Sequence, residues 1–291
     1  MAMVVSPLRH RATGEGERIM NLVHLSDLHA GPGFRPEVAH ALRLRLSELQ
    51  PELIVFTGDL VQRWERTSDW LMARGFLRRL AAPVLAVPGN HDLPVFDPIA
   101  RAWRPLLRFE AVVAQSADSQ HQLAAASVVG LNASKFWTLD LGRISAPQRH
   151  QTAALLAAQP PEHLRIVAHH HGLAEPAGKR PRGRLRGALS WVQALAAMRV
   201  DLVLTGHNHF PMVQALGAGY GHAFVWSQAG TATSSYYRHP EWQTNSFTSV
   251  CGDARELLVC VWAYRGAEGF VVAKRQRWRR QALGWQCAVG S

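Results

Sequence analysis

Aspartate, asparagine and histidine gather in five short clusters: Asp27-Leu28-His29, Gly58-Asp59, Gly89-Asn90-His91-Asp92, His169-His170-His171 and Gly206-His207-Asn208-His209. Asp27, His29, Asp59, Asn90, His169, His207 and His209 together offer three hard oxygens and four imidazole nitrogens. That donor mixture suits manganese, iron or zinc better than calcium or magnesium, which take mostly oxygen. Seven donors exceed the need of one catalytic zinc, which keeps three protein ligands and an open position. Two ions bridged by one carboxylate would use them, and a pair about 3.5 to 4 Å apart clamps the attacking and leaving oxygens of a phosphoryl transfer. A DxH or HxH pair in extended chain turns both side chains to one face. Glycine before Asp59, Asn90 and His207 allows backbone to approach the ions closely.

Something must bring together residues that lie almost the length of a domain apart. Short apolar runs alternate with segments of helical spacing from residue 21 to about 205, the pattern of βαβ units around a buried sheet. The expected strands are 21–26, 53–57, 83–87, 128–131, 164–168 and 201–205, and the expected helices 37–49, 67–80, 99–107, 147–158 and 187–198. After residue 222 β-rich runs take over, at 223–227, 247–251, 256–263 and 269–274, and predict a second, mostly antiparallel sheet. Each polar cluster sits just after a strand, so five strand exits would share one edge of a parallel sheet, where ligands bind. The expected organisation is an extension over 1–19, one domain over 20–280 and a tail over 281–291.

DxH, GD, GNHD, an apolar strand ending in histidine, and GHxH, in this order from Asn21 to about Ser234, resemble the calcineurin-like metallophosphoesterases. The resemblance implies an α/β fold, a four-layer α/β/β/α sandwich, and two divalent or mixed-valence ions of manganese, iron or zinc. It places Asp27, His29, Asp59 and His209 on one ion and Asp59, Asn90, His169 and His207 on the other, with Asp59 bridging and His91 as general acid or transition-state stabiliser for the leaving group. His170 is the alternative to His169, because the family shows two histidines followed by proline where this chain has three followed by Gly172. The run Ala229-Gly230-Thr231-Ala232-Thr233-Ser234, with Asn245-Ser246-Phe247 downstream, is similar to the small bacterial branch that contains cyclic-nucleotide phosphodiesterases. The implied activity is hydrolysis of a phosphate ester, foremost a cyclic nucleotide or other small phosphodiester. Nucleotide-lipid pyrophosphate or nucleic acid hydrolysis, and a non-enzymatic anion-binding scaffold, are the alternatives. The short stretch between His171 and His207 leaves no room for a large cap, which disfavours a nuclease.

Composition bounds the rest. The 291 residues are 47% hydrophobic and 18% charged, which excludes a disordered or fibrous chain. Lys+Arg 32 against Asp+Glu 21 gives a net charge of +11, and only Lys135, Lys179 and Lys274 are lysines. Arg182, Arg184 and Arg186, in the basic stretch after the histidine triplet, are candidate contacts for substrate phosphate. Lys274, Arg275, Arg277, Arg279 and Arg280 are expected on an exposed strand edge. Three cysteines without a CxxC, no apolar span and no signal-like leader fit a cytoplasmic protein. Trp64, Trp70 and Trp103 follow the polar clusters and are expected to pack helices, with lining of the pocket as the alternative.

Overall fold

The computed structural model describes residues 19–174 and 184–290. Nearly all of the expected N-terminal extension lies outside them, as do Lys179, Arg180 and Arg182.

The first half of the chain runs β1 (Met20–Leu25), α1 (Pro36–Leu49), β2 (Leu53–Phe56), α2 (Thr67–Leu77), β3 (Val84–Ala86), α3 (Pro98–Trp103), α4 (Leu107–Val113), β4 (Ser119–Gln122), β5 (Ala126–Gly130), β6 (Gly142–Arg143) and α5 (Ala146–Ala157). The second half continues through β7 (Leu164–Ala168), β8 (Leu185–Arg186), α6 (Ala188–Ala197), β9 (Leu202–Thr205), β10 (Met212–Leu216), β11 (Phe224–Gln228), β12 (Ser246–Gly252), β13 (Glu256–Tyr264), β14 (Phe270–Gln281) and β15 (Gly284–Gly290). Local chemistry sets several boundaries. Pro36 starts α1 at a position whose amide has no intrahelical partner, and Ser145 with Gln148 forms a capping box on α5. The helix expected over 99–107 is broken into α3 and α4, because Pro105 lacks an amide hydrogen and bars helical geometry at Arg104, whose φ and ψ are −146° and 57°.

Two sheets carry the fold. The seven-stranded one has the order β15-β14-β13-β12-β1-β2-β3, and the six-stranded one β10-β11-β9-β7-β5-β4. Strand alternation explains their packing. Leu53 and Val55 face the second sheet with Ile166, Leu202 and Leu204. Their neighbours Ile54 and Phe56 meet α1 and α2 through Leu42, Leu46, Trp70 and Phe76. Across the molecule Val167 and Val203 pack on Leu156 of α5 and on Trp191 and Leu195 of α6. Strands buried on both faces need apolar residues in succession, and the result is the expected α/β/β/α sandwich.

Four expectations change. The parallel strands do not form one sheet: β1, β2 and β3 belong to one and β5, β7, β9 and β11 to the other. The late antiparallel strands extend the first sheet instead of making their own, because β12 takes the open side of β1, with Val23 opposite Ser249. The supposed tail is strand β15 from Gly284, and Trp285 donates through Nε1 to Asp201 Oδ1 at 2.9 Å. The arginine run therefore sits on an interior strand between β13 and β15. Arg279 pairs there with Glu256 at 3.1 Å and Arg280 with Asp201 at 2.6 Å.

Candidate metal centre

The carboxyl ends of β1, β2 and β3 in one sheet and of β7 and β9 in the other meet at a common seam. The loops that leave them are bent sharply. Asp27, His29, Asp59, His207 and His209 all have positive φ, between 46° and 74°. Left-handed backbone costs a non-glycine residue energy and persists only where surroundings over-determine it. Those surroundings are visible: Asp27 N and His29 N donate to Gly58 O and Asp59 O at 3.0 and 2.9 Å. Behind them Thr231 and Thr233 donate hydroxyls to Asp27 O and Leu28 O at 2.7 and 2.9 Å. Gly89 and Gly206 are required by close approach, since a Cβ would stand 2.1 Å from Asp59 Oδ1 at the first and 1.8 Å from Ser26 Oγ at the second.

Two sets of donors result. In the first, His209 Nε2 lies 3.1 Å and His29 Nε2 3.7 Å from Asp27 Oδ1, and the two imidazole nitrogens are 3.0 Å apart. In the second, His170 Nε2 is 3.4 Å from Asp59 Oδ2, 3.2 Å from Asn90 Oδ1 and 3.1 Å from His207 Nδ1. Asp59 Oδ2 is also 3.6 Å from His29 Nε2, so this carboxylate stands between the sets. His91 adjoins it, with its amide on Asp59 Oδ1 at 2.9 Å and its ring 4.9 Å from that of His29.

Backbone carbonyls aim the rings. A carbonyl only accepts, so the ring nitrogen against it is the protonated one. His170 Nδ1 donates to Thr57 O at 2.6 Å, His91 Nδ1 to Gln62 O at 2.9 Å, and His209 Nδ1 to Tyr236 O. In the neutral ring Nε2 is then the nitrogen with the lone pair, and in His170 and His209 that nitrogen faces the cluster.

The histidine triplet requires a correction. His170, not His169, reaches Asp59, Asn90 and His207. His169 Nε2 accepts from Trp191 Nε1 at 3.2 Å, turned toward the core beneath α6. The reason is the strand period: His169 continues the outward face of β7 toward α6, and His170 falls on the face toward the first sheet. His171, also fully buried, has its ring 5.0 Å from that of His207. Sequence reasoning left four supports unassigned: the two threonines, Asp92 and Asp140. Asp92 accepts from Val61 N and Gly89 N at 3.1 and 2.9 Å, tying two of the loops together. Asp140 Oδ1 stands 3.6 Å from His207 Nε2. The aspartate directly after Asn90-His91 was the available signal for Asp92; no local signal marks Asp140. Of the candidate phosphate contacts, Arg184 is exposed and Arg186 lines a cavity of about 390 Å³ with Arg143, Ile144, Ala146, Arg149 and Gly187, none of which belongs to the donor sets.

Electrostatics agree with the geometry. Burial opposes the charge on Asp27 and Asp59, but His209 and His29 beside the first, and His170 and His91 beside the second, hold both carboxyls well below the usual range. Burial also opposes charge on His170, yet Asp59 and Asp27 lift it to about 9. Burial pushes His29 down to about 4 and His207 well below its ordinary value. Burial and the nearby Asp59 charge raise Asp92 to about 8.

The residues fit a pair of cations. Asp27 Oδ1 and Asp59 Oδ2 are buried carboxylate oxygens without a hydrogen-bond donor. Imidazole nitrogens converge on them from both sides, and a bound cation would take the place of the proton that Asp59 and Asp27 favour on His170. Asp27, His29 and His209 form one compact ligand group and Asp59, His170 and His207 another, with His29, Asp59 and His91 between. A family model described as calcineurin-like phosphoesterase matches residues 20–211, which contain every donor above. The chain belongs to the calcineurin-like phosphoesterases. A relative, the "Uncharacterized metallophosphoesterase YkuE" of Bacillus subtilis (strain 168), is 36% identical over 73 residues, 24% of this chain, and the match spans about a quarter (26%) of the relative. PhoD superimposes with a TM-score of 0.67 over 96% of this chain and 73% of its own, at 9% identity. A purple acid phosphatase from yellow lupin (Lupinus luteus) seeds does so with a TM-score of 0.61 over 85% of this chain, which spans about half (52%) of that protein, at 15% identity. At such identities the likeness is one of fold.

Proposed function

We propose that this calcineurin-like phosphoesterase is a dinuclear metal-dependent phosphodiesterase acting on a small phosphodiester, cyclic nucleotides included. The carrying observation is the position of Asp59 Oδ2, 3.6 Å from a nitrogen of one donor set and 3.4 Å from a nitrogen of the other. Asp27, His29, Asp59 and His209 would hold one ion, and Asp59, Asn90, His170 and His207 the second. When bound, two such ions would draw charge from the phosphoryl oxygens and lower the pKa of an attacking water to about 7.

The chain's own residues supply the rest. His91 is only half-buried, and its Nδ1 bond to Gln62 O leaves Nε2 open, so in its imidazolium form the ring would pass the Nε2 proton to the departing ester oxygen and end neutral, with Nδ1–H still on the carbonyl. Asp140 stands 3.6 Å from His207 Nε2, beyond hydrogen-bonding distance, and would favour positive charge on that side of the ring. Arg186, with Arg143 and Arg149, would meet a further phosphate of a larger substrate, and Arg182 and Arg184 would belong to the same basic stretch. A cysteine count of three without a CxxC supports a reducing, cytoplasmic setting. Among the described residues no helix is long and apolar enough to cross a membrane.

A hydrolysis panel with added Mn²⁺ tests the reading: a chromogenic diester, the matching monoester, cyclic AMP, a UDP-sugar lipid and single-stranded DNA. The diester and cyclic AMP are expected to turn over fastest. Hydrolysis confined to the monoester, or none at all with two ions bound, overturns it.

A further inference from the structure

The rim beside the metal centre is apolar and faces water. Phe96, Ile99 and Trp103 are 70%, 75% and 85% exposed, and Phe136, Trp137 and Leu139 on a second loop are also exposed. Trp103 therefore does not pack helices, unlike the buried Trp64 and Trp70. These side chains are not on a loose strand. The Arg101 guanidinium binds the carbonyls of Phe136 and Thr138 at 2.6 and 2.5 Å and that of Pro94, tying the two loops into one platform. The Phe136 and Trp137 rings meet edge to face at 4.6 Å. The first loop follows directly on the turn that carries His91, and the second ends at Asp140, 3.6 Å from His207.

Large apolar groups held out in water mark an interaction surface. The charges around them select its partner. Arg63, Arg66 and Arg104 are exposed, and Arg63 lies over the Phe96 ring at 5.4 Å. The acids of the first loop and its neighbours are engaged or buried: Glu65 accepts from Val95 N and Phe96 N at 2.8 and 2.9 Å, Asp97 caps Ala100 N at 2.8 Å, and Asp69 and Asp92 are buried, while Asp140 at the end of the second loop is exposed on the side of His207. Exposed tryptophan, phenylalanine and isoleucine ringed by guanidinium on a chain of net charge +11 match a surface with an apolar interior and an anionic face.

We propose that this platform docks the protein on an anionic phospholipid bilayer and presents the metal centre to phosphoesters in the headgroup layer. The presentation rests on the phosphodiesterase reading above; the docking does not.

The test is flotation of the full chain with vesicles of phosphatidylglycerol and phosphatidylcholine against phosphatidylcholine alone. The parent should partition onto the anionic vesicles at least about tenfold more strongly, with a blue shift in tryptophan emission and weakening at high salt. Trp103→Ser combined with Trp137→Ser should lower that partition at least about tenfold. Its melting temperature and its rate on a water-soluble diester should stay unchanged, because neither side chain is buried or part of the donor sets. No flotation of the parent, or equal flotation of parent and variant, overturns the proposal. So does a concentration-dependent dimer that the variant abolishes without any vesicle association, which would make the occupant a second copy. Flotation with no hydrolysis of any soluble diester leaves the docking standing and removes the phosphodiesterase reading.

Discussion

Thr231 donates its hydroxyl to the Asp27 carbonyl at 2.7 Å, joining residues 204 positions apart in the chain. This contact holds Asp27 in left-handed backbone and keeps its carboxylate aimed at His209. Thr231→Val keeps the shape and removes the donor, so the chain should fold while metal affinity falls about 10- to 100-fold, the cost of losing a support behind a ligand. Isothermal titration with Mn²⁺ measures it, and an unchanged affinity would show that the turn holds itself.

His169 and His170 should part company under substitution. His170→Ala removes a donor from the Asp59 side and should lose one ion of the two, with nearly all turnover. His169→Ala should keep both ions but leave the buried Trp191 Nε1 without its acceptor, costing about 1 to 3 kcal/mol in denaturant unfolding. Metal analysis and unfolding curves on the pair separate the roles; ion loss in the His169 variant would reverse the assignment.

Asp201 is a stability anchor remote from the donor sets. Its carboxylate, 1% exposed, accepts from Arg165 N, Arg280 and Trp285 and so binds the two sheets to each other. Asp201→Ala strands a guanidinium and two N–H groups, and a loss of about 3 to 5 kcal/mol is expected. Urea unfolding gives the number, and a cost below about 1 kcal/mol, typical of an exposed ion pair, would refute the anchor.

Acid should weaken the fold through His24. Burial depresses this imidazole from 6.5 to about 3, so the unfolded chain binds the proton first. Stability contributed by the neutral ring is present above pH 6.5 and is lost as pH falls toward 3, by up to about one proton in slope. His24→Gln retains a partner for Thr57 Oγ1, which lies 2.9 Å from His24 Nε2, and should flatten the unfolding profile across that window. An equal slope in parent and variant would assign the acid sensitivity elsewhere.

Stripping the ions with a chelator should lower the melting temperature and restore it on readdition of Mn²⁺, since a ligand that binds only the folded chain stabilises it by mass action. Asp59→Asn should show a smaller shift. Equal melting with and without chelator in the parent would argue against bound ions.

Strands and helices near the donors were legible because apolar periodicity and ligand-type residues coincide there: β7 and the stretch from Leu53 were located to within a residue. Sheet membership was not, because β1 and β7 both read as buried parallel strands and nothing local says that β12 will close over β1. His169 looked the better ligand because it comes first after the strand. Deciding in favour of His170 required knowing which face of β7 meets α6, a fact carried by Trp191 and not by the triplet. Trp103 was misread for a related reason: Pro105 cuts its helix short and leaves the indole outside the core.

Each donor set draws on both sheets: Asp27 and His29 follow β1 while His209 follows β9, and Asp59 and Asn90 follow β2 and β3 while His170 and His207 follow β7 and β9. No stretch from the start of the chain contains a complete set until synthesis has passed His207, and none contains both until it has passed His209. A nascent chain stopped earlier carries the carboxylates but lacks a closing imidazole, so possession of two tightly held ions certifies that β1 to β3 and the pair β7 and β9 have been made and have met.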